Sequence, residues 1–137
     1  MIRDGTMLTN SVLIVDDDIE ALDEMAEALQ DYGLKIHTAS DESTALILAN
    51  EHRPKFILMD YLLHGSTGLE SASAIRKFLP GVQIIMISAF EDLNRVVTIN
   101  KFGVIAVLRK PLSIDSIGRF ISTRLVRSKR QLKSLKW

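Results

Sequence analysis

Val12-Leu13-Ile14-Val15-Asp16-Asp17-Asp18 decides the reading of this chain. Four apolar residues, two of them valine and one isoleucine, run without a polar break and then meet three consecutive carboxylates. An uninterrupted β-branched run is the pattern of a strand buried on both faces, as in a parallel sheet covered by helices. Downstream, Leu22, Met25, Ala26 and Leu29 recur at helical spacing, and Gly33 sits where a helix would be closed by a glycine. The same alternation repeats along the chain. A strand is expected over 34–39, and a helix capped by Asp41 or Ser43 runs to Asn50, with Pro54 in the loop after it. Phe56-Ile57-Leu58-Met59 is a third buried strand, and a helix over 66–79 ends at Pro80-Gly81. A fourth strand covers 82–87, a less regular helix covers 91–102 up to Gly103, and a fifth strand covers 104–108. A last helix starts at Ile114 behind Ser113. Strict alternation of this kind predicts an α/β (βα)₅ architecture, a doubly wound parallel sheet with helices on both faces.

The bulk numbers agree with one such domain plus an extension. The chain has 137 residues, 47% of them hydrophobic and 25% charged, which are globular values. It has no cysteine, which excludes disulfides, cysteine-zinc sites and thiol nucleophiles. No apolar run approaches the roughly 18 residues of a membrane helix. The N-terminus lacks the apolar stretch of a signal peptide, so a cytoplasmic chain is expected. The formal net charge of zero hides an asymmetry. Residues 1–118 carry 17 acids and 10 bases, a net of −7, while residues 119–137 carry 7 bases and no acid. The expected division is an N-terminal extension over 1–10, a folded domain over 11–125 and a basic helical extension or linker over 126–137.

Ligands of open α/β sheets sit beyond the carboxyl ends of the strands. Strand one is followed there by Asp16-Asp17-Asp18, strand three by Asp60, strand four by Ser88-Ala89 and strand five by Arg109-Lys110-Pro111. Converging carboxylates either raise their own pKa values or recruit a cation, and an all-oxygen donor set points to Mg²⁺. Lys110 and Ser88 suit the oxygens of a transferring phosphoryl group. Asp60, alone at its strand end, is the natural acceptor, because a carboxylate can serve as the nucleophile and form an acyl phosphate. Asp16 and Asp17 are then metal ligands. Asp18 is read as a solvated or capping residue.

These residues resemble the receiver domain of two-component response regulators. The resemblance rests on Asp16-Asp17 after an apolar strand, Asp60 followed eight residues later by Gly68, Ser88-Ala89 after strand four and Lys110-Pro111 after strand five. It covers about residues 11–125. It implies a flavodoxin-like sheet of order 2-1-3-4-5 and a phospho-accepting signalling domain rather than an enzyme. Asp60 would take a phosphoryl group from a histidine kinase or phosphotransfer protein and switch the conformation presented to a partner or output domain. Asp17 and Asp60 would bind Mg²⁺ directly, Asp16 would bind it through water, and the backbone carbonyl of Leu62 would add a ligand. Ser88 would move toward the phosphoryl group, Lys110 would pair with it, and Lys110-Pro111 would be joined by a cis peptide. Two positions depart from the family pattern. His64 stands where a proline is frequent, and Val107 stands where an aromatic usually reports phosphorylation to the surface. The resemblance therefore implies the chemistry but not that route of output. Leu62 and Phe90 would flank the site and limit attacking water, so a slowly hydrolysed phosphoryl group is expected.

Other readings are weaker. An aspartate-based, Mg²⁺-dependent phosphohydrolase needs a second acid two residues after the nucleophile, and here the run is Asp60-Tyr61-Leu62. A flavin-binding module would need a Ser/Thr/Gly-rich loop where the three aspartates stand. His64 reads as an exposed loop histidine, and His37 and His52 receive no role. The basic tail reads as a solvated helix end, a nucleic-acid or membrane contact, or a coiled coil. The third is favoured, because Ile114, Gly118, Ile121, Leu125, Ser128, Leu132 and Leu135 form an a/d series with five apolar members. A homodimer through the C-terminal helix is the expected consequence, and nucleic acid is not directly indicated.

Overall fold

A computed structural model describes residues 8–63, 66–88, 104–111 and 113–134, with the side chains of 66 and 125–134 left out. The chain runs β1 (Thr9–Val15), α1 (Ile19–Gln30), β2 (Lys35–Ala39), α2 (Glu42–His52) and β3 (Pro54–Asp60). It continues through a short hairpin, β4 (Leu62–Leu63) with β5 (Ser66–Thr67), to α3 (Gly68–Phe78), β6 (Gln83–Ser88), β7 (Val104–Arg109) and α4 (Ile114–Ser134). The expected helix over 91–102 lies outside the described residues.

Five parallel strands form one sheet in the order β2-β1-β3-β6-β7. With the short hairpin set aside, this is the 2-1-3-4-5 order. Side chains alternate between two cores, as the period of a strand requires. Leu13, Val15, Ile57, Met59, Ile84 and Met86 pack under α2 and α3. Val12, Ile14, Phe56, Leu58, Ile85 and Ile87 pack under α1 and α4. The central strands are buried on both faces, which is why their sequences are apolar throughout. No described helix is long and apolar enough to cross a membrane.

Several local expectations change. Ser66 and Thr67 do not begin α3 but pair back onto Leu63 and Leu62, and Thr67 becomes the cap whose hydroxyl accepts the Glu70 N–H at 3.4 Å. Pro54 opens β3 rather than lying in a loop, a position where the N–H it lacks is not required. α2 runs on to His52. α1 is capped by Asp31, and Gly33 follows at φ 76°, its N–H donating to the Gln30 carbonyl at 2.9 Å. Ser113 stands at the start of α4 as read, its hydroxyl oxygen accepting the Ser116 N–H at 3.3 Å.

The largest change concerns α4. Ile117 and Ile121 are buried under the sheet, Ile114 packs beside them, and Gly118 faces the Tyr32 ring. The Tyr32 hydroxyl donates to the Asp115 carboxylate, which ties α4 to the end of α1. The first half of the a/d series thus packs against the chain's own sheet rather than being free for a partner helix. Leu125, Ser128 and Leu132 lie in the described helix without described side chains, and Leu135 lies outside it.

Candidate functional site

Four strand ends, those of β1, β3, β6 and β7, converge at the carboxyl edge of the sheet. β1 delivers Asp16, whose N–H donates to the Ala39 carbonyl at 3.1 Å, so the pairing with β2 aims the residue. Asp16 is 5% exposed and Asp60, the last residue of β3, is 7% exposed. One oxygen from each of Asp16, Asp17 and Asp60 lies within 4.8 Å of the others. Asp18 turns away: its carboxylate accepts the Ala21 N–H at 3.3 Å and caps α1. Its own N–H donates to the Asp16 carboxylate at 3.0 Å, which steadies that side chain.

Lys110 closes the cluster from β7. Its Nζ lies 3.4 Å from Asp60 Oδ1 and 3.7 Å from Asp16 Oδ2. Its backbone N–H donates to the Ser88 carbonyl at 2.8 Å, and the Lys110–Pro111 peptide is cis. Ser88 ends β6 and is buried. Burial raises the Asp60 carboxyl to about 6, and the Asp16 charge adds to this, while Lys110 acts in the opposite direction. The site is therefore short of positive charge even with Lys110 in place. An all-oxygen set at this spacing fits a small hard cation such as Mg²⁺.

Gly68 fits under the acceptor. Its N–H donates to the Tyr61 carbonyl at 2.6 Å, closing the hairpin, and a Cβ here would collide with the Asp60 carbonyl oxygen and meet Met59 Cγ at 2.9 Å. The eight-residue spacing from Asp60 thus has a steric origin that the sequence pattern carried without explaining. Sequence reasoning also missed the second contact of Lys110, to Asp16, which joins the ends of β7 and β1 although β3 and β6 lie between those strands. Leu62 lies in β4 with its side chain 48% exposed. Val107 is half-buried against the core under α2 and α3, with no ring to swing. His64, Ala89 and Phe90 lie outside the described residues. Beside the cluster opens a groove of about 540 Å³, lined by Asp16, Asp18, Ala21, Glu24, Met25, Lys110, Pro111 and Ile114.

Comparison with known proteins agrees with this geometry. The chain is 33% identical over 135 residues to the nitrogen assimilation regulatory protein NtrX of Azorhizobium caulinodans, covering 93% of this chain and 30% of the relative. It is 24% identical to sporulation initiation phosphotransferase F of Bacillus subtilis, covering 81% of this chain and 90% of the relative. It superposes with a TM-score of 0.80 on a CheY-like response regulator receiver domain protein from Methanospirillum hungatei, at 25% identity, covering 91% of this chain and 99% of that one. The chain spans less than a third of the NtrX relative's length. Residues 12–122 match the response regulator receiver domain family, which is a signalling domain of two-component systems, and the chain belongs to that family.

Proposed function

We propose that Asp60 is the phosphoryl acceptor of this receiver domain, charged by a histidine kinase or phosphotransfer protein in a Mg²⁺-dependent reaction. The observation that carries this reading is the cluster of three carboxylate oxygens within 4.8 Å, with the Lys110 ammonium 3.4 Å from Asp60. Asp17, Asp60 and the Leu62 carbonyl would hold Mg²⁺ directly and Asp16 through water. When bound, the ion supplies the positive charge that offsets the carboxylates and the phosphoryl oxygens. An Asp60 carboxylate oxygen attacks the phosphorus of a phosphohistidine. The P–N bond breaks, its electron pair stays on the imidazole nitrogen, and an acyl phosphate forms on Asp60. Lys110 transfers its pairing to a phosphoryl oxygen, and the Ser88 hydroxyl donates to another. The groove beside Asp16 and Lys110 leaves room for the donor protein to approach between α1 and α4. Leu62, two residues after the acceptor and partly exposed, limits attacking water, so the acyl phosphate is long-lived.

The phosphorylated site biases the β7–α4 end of the domain toward a partner or output domain, and residues beyond 124 pair two copies. The test is incubation of the chain with Mg²⁺ and acetyl phosphate, read by intact mass. The expected product carries one phosphoryl group, is absent in Asp60→Asn, and forms at least tenfold more slowly in Lys110→Ala, by about 1.4 kcal/mol or more in barrier. Equal labelling of Asp60→Asn would sink the assignment, and a half-life of seconds would overturn the slow hydrolysis.

A further inference from the structure

His37 and His52 belong to different elements, β2 and α2, yet their rings are stacked. The centroids are 3.8 Å apart and the planes are 10° from parallel. His37 stands in the middle of β2, an edge strand of the sheet, and His52 is the last residue of α2. His37 shares a strand face with Ala39, which packs in the core against Ala45 and Ala49 of α2. The stack therefore continues the α2–sheet interface outward to the sheet's edge. The same corner is pinned from β1, where the Thr9 hydroxyl donates to the His52 carbonyl at 2.6 Å and the Thr9 N–H to the Arg53 carbonyl at 2.7 Å.

A face-to-face imidazole pair tolerates one proton far better than two, because two cations at this distance repel in a partly dehydrated setting. The charged groups around the pair do not relieve that repulsion fully. Lys35 on β2 adds positive charge, and Glu51 on α2 lies 3.9 Å from His52 Nε2. β1 contributes no ionisable side chain along its whole length from Thr9 to Val15. Burial, with His52 and Lys35 acting in the same direction and Glu51 against them, holds the His37 imidazole below its ordinary value of 6.5.

We propose that the His37–His52 stack is an acid-sensitive latch, which holds the C-terminal turn of α2 against edge strand β2 and opens when both rings are protonated. The sign follows from linkage. A base with a lowered folded pKa binds fewer protons in the folded state. Its contribution is present above the ordinary histidine value and is lost as pH falls below it. At the other end of α2, the Asp41 carboxyl is held below its usual range by the Thr44 N–H it accepts, so that cap stays ionised where His37 changes charge. Opening therefore begins at the C-terminal turn of α2.

Amide hydrogen exchange on the full chain, corrected for intrinsic exchange rates and paired with an NMR titration of the imidazole ring protons, tests this. Protection of residues 49–53 is expected to fall more than that of residues 75–79 between about pH 7.5 and 5, the range in which an imidazole takes up its proton. His52→Phe keeps a stacked ring without a second charge and should abolish that difference. Asp60 titrates in the same range in both proteins, so the contrast between them belongs to the histidine pair. If His52→Phe does not fold, His37→Phe makes the same comparison from the strand side. The proposal is overturned if both rings titrate as free imidazoles, or if protection of 49–53 falls equally in the variant and the parent chain.

Discussion

Asp60 shows how much of the site's behaviour comes from one residue's surroundings. Its carboxyl is raised to about 6, by burial first and by Asp16 second. The folded chain therefore keeps a proton that the unfolded chain has released between 3.8 and about 6. Asp60's contribution to stability is complete below the unfolded value and is lost as pH rises through about 6. Asp60→Asn is expected to stabilise the metal-free fold at neutral pH by about 1–2 kcal/mol, a gain that disappears near pH 4 in urea denaturation. Mg²⁺ affinity, measured calorimetrically, should fall as pH drops through about 6, because the ion must displace that proton. Gly68 makes a second prediction. Adding a methyl group there forces Met59, Met86 or the Asp60 backbone to move. Gly68→Ala should cost about 1–3 kcal/mol in urea denaturation and weaken Mg²⁺ binding in the same calorimetric experiment. The spacing of Asp60 and Gly68 was legible in the sequence, but its steric cause was not, because the clash is between segments that meet only after the loop turns back.

Among the elements, the strands were the easiest to read and the start of α3 the hardest. Val12–Val15 and Phe56–Met59 are apolar at every position because both sheet faces are covered, so their type needed no long-range information. α2 is different: Ala45, Leu46, Ile47, Leu48 and Ala49 are apolar in succession, and Ile47 is 63% exposed, so no clean face exists. Its caps identified it, since Asp41 accepts the Thr44 N–H at 2.7 Å. The apolar spacing of Leu69, Ala72, Ile75 and Leu79 starts the helix at Ser66, two residues before α3 begins. Only pairing with Leu62–Leu63 placed Thr67 at the cap and Ser66 before it. Thr67→Ala should therefore cost about 0.5–1 kcal/mol in urea denaturation, whereas Ser113, at the start of α4, is independent of that hairpin.

For the whole molecule, α4 joins the acidic body to the basic extension as one continuous helix. Arg124 marks the crossing. Its guanidinium donates to the Gln83 side-chain oxygen at 3.1 Å, at the first residue of β6, and sits 4.3 Å from the centre of the Phe120 ring. The helix runs ten residues further, to Ser134. Deleting residues 126–137 is expected to leave phosphorylation of Asp60 unchanged and to abolish any dimer seen by light scattering, because the inward members of the a/d series remain occupied by the sheet. The alternation of strands and helices, the acidic strand ends and the charge asymmetry were all legible from local pattern, since each depends on neighbours in the chain. The leading part that burial plays in raising the Asp60 carboxyl, the steric need for Gly68, the histidine stack and the inward turn of Ile114, Gly118 and Ile121 were not. Each depends on distances between segments that are separate in the chain, and those distances exist only once the sheet has formed and the helices have packed on it.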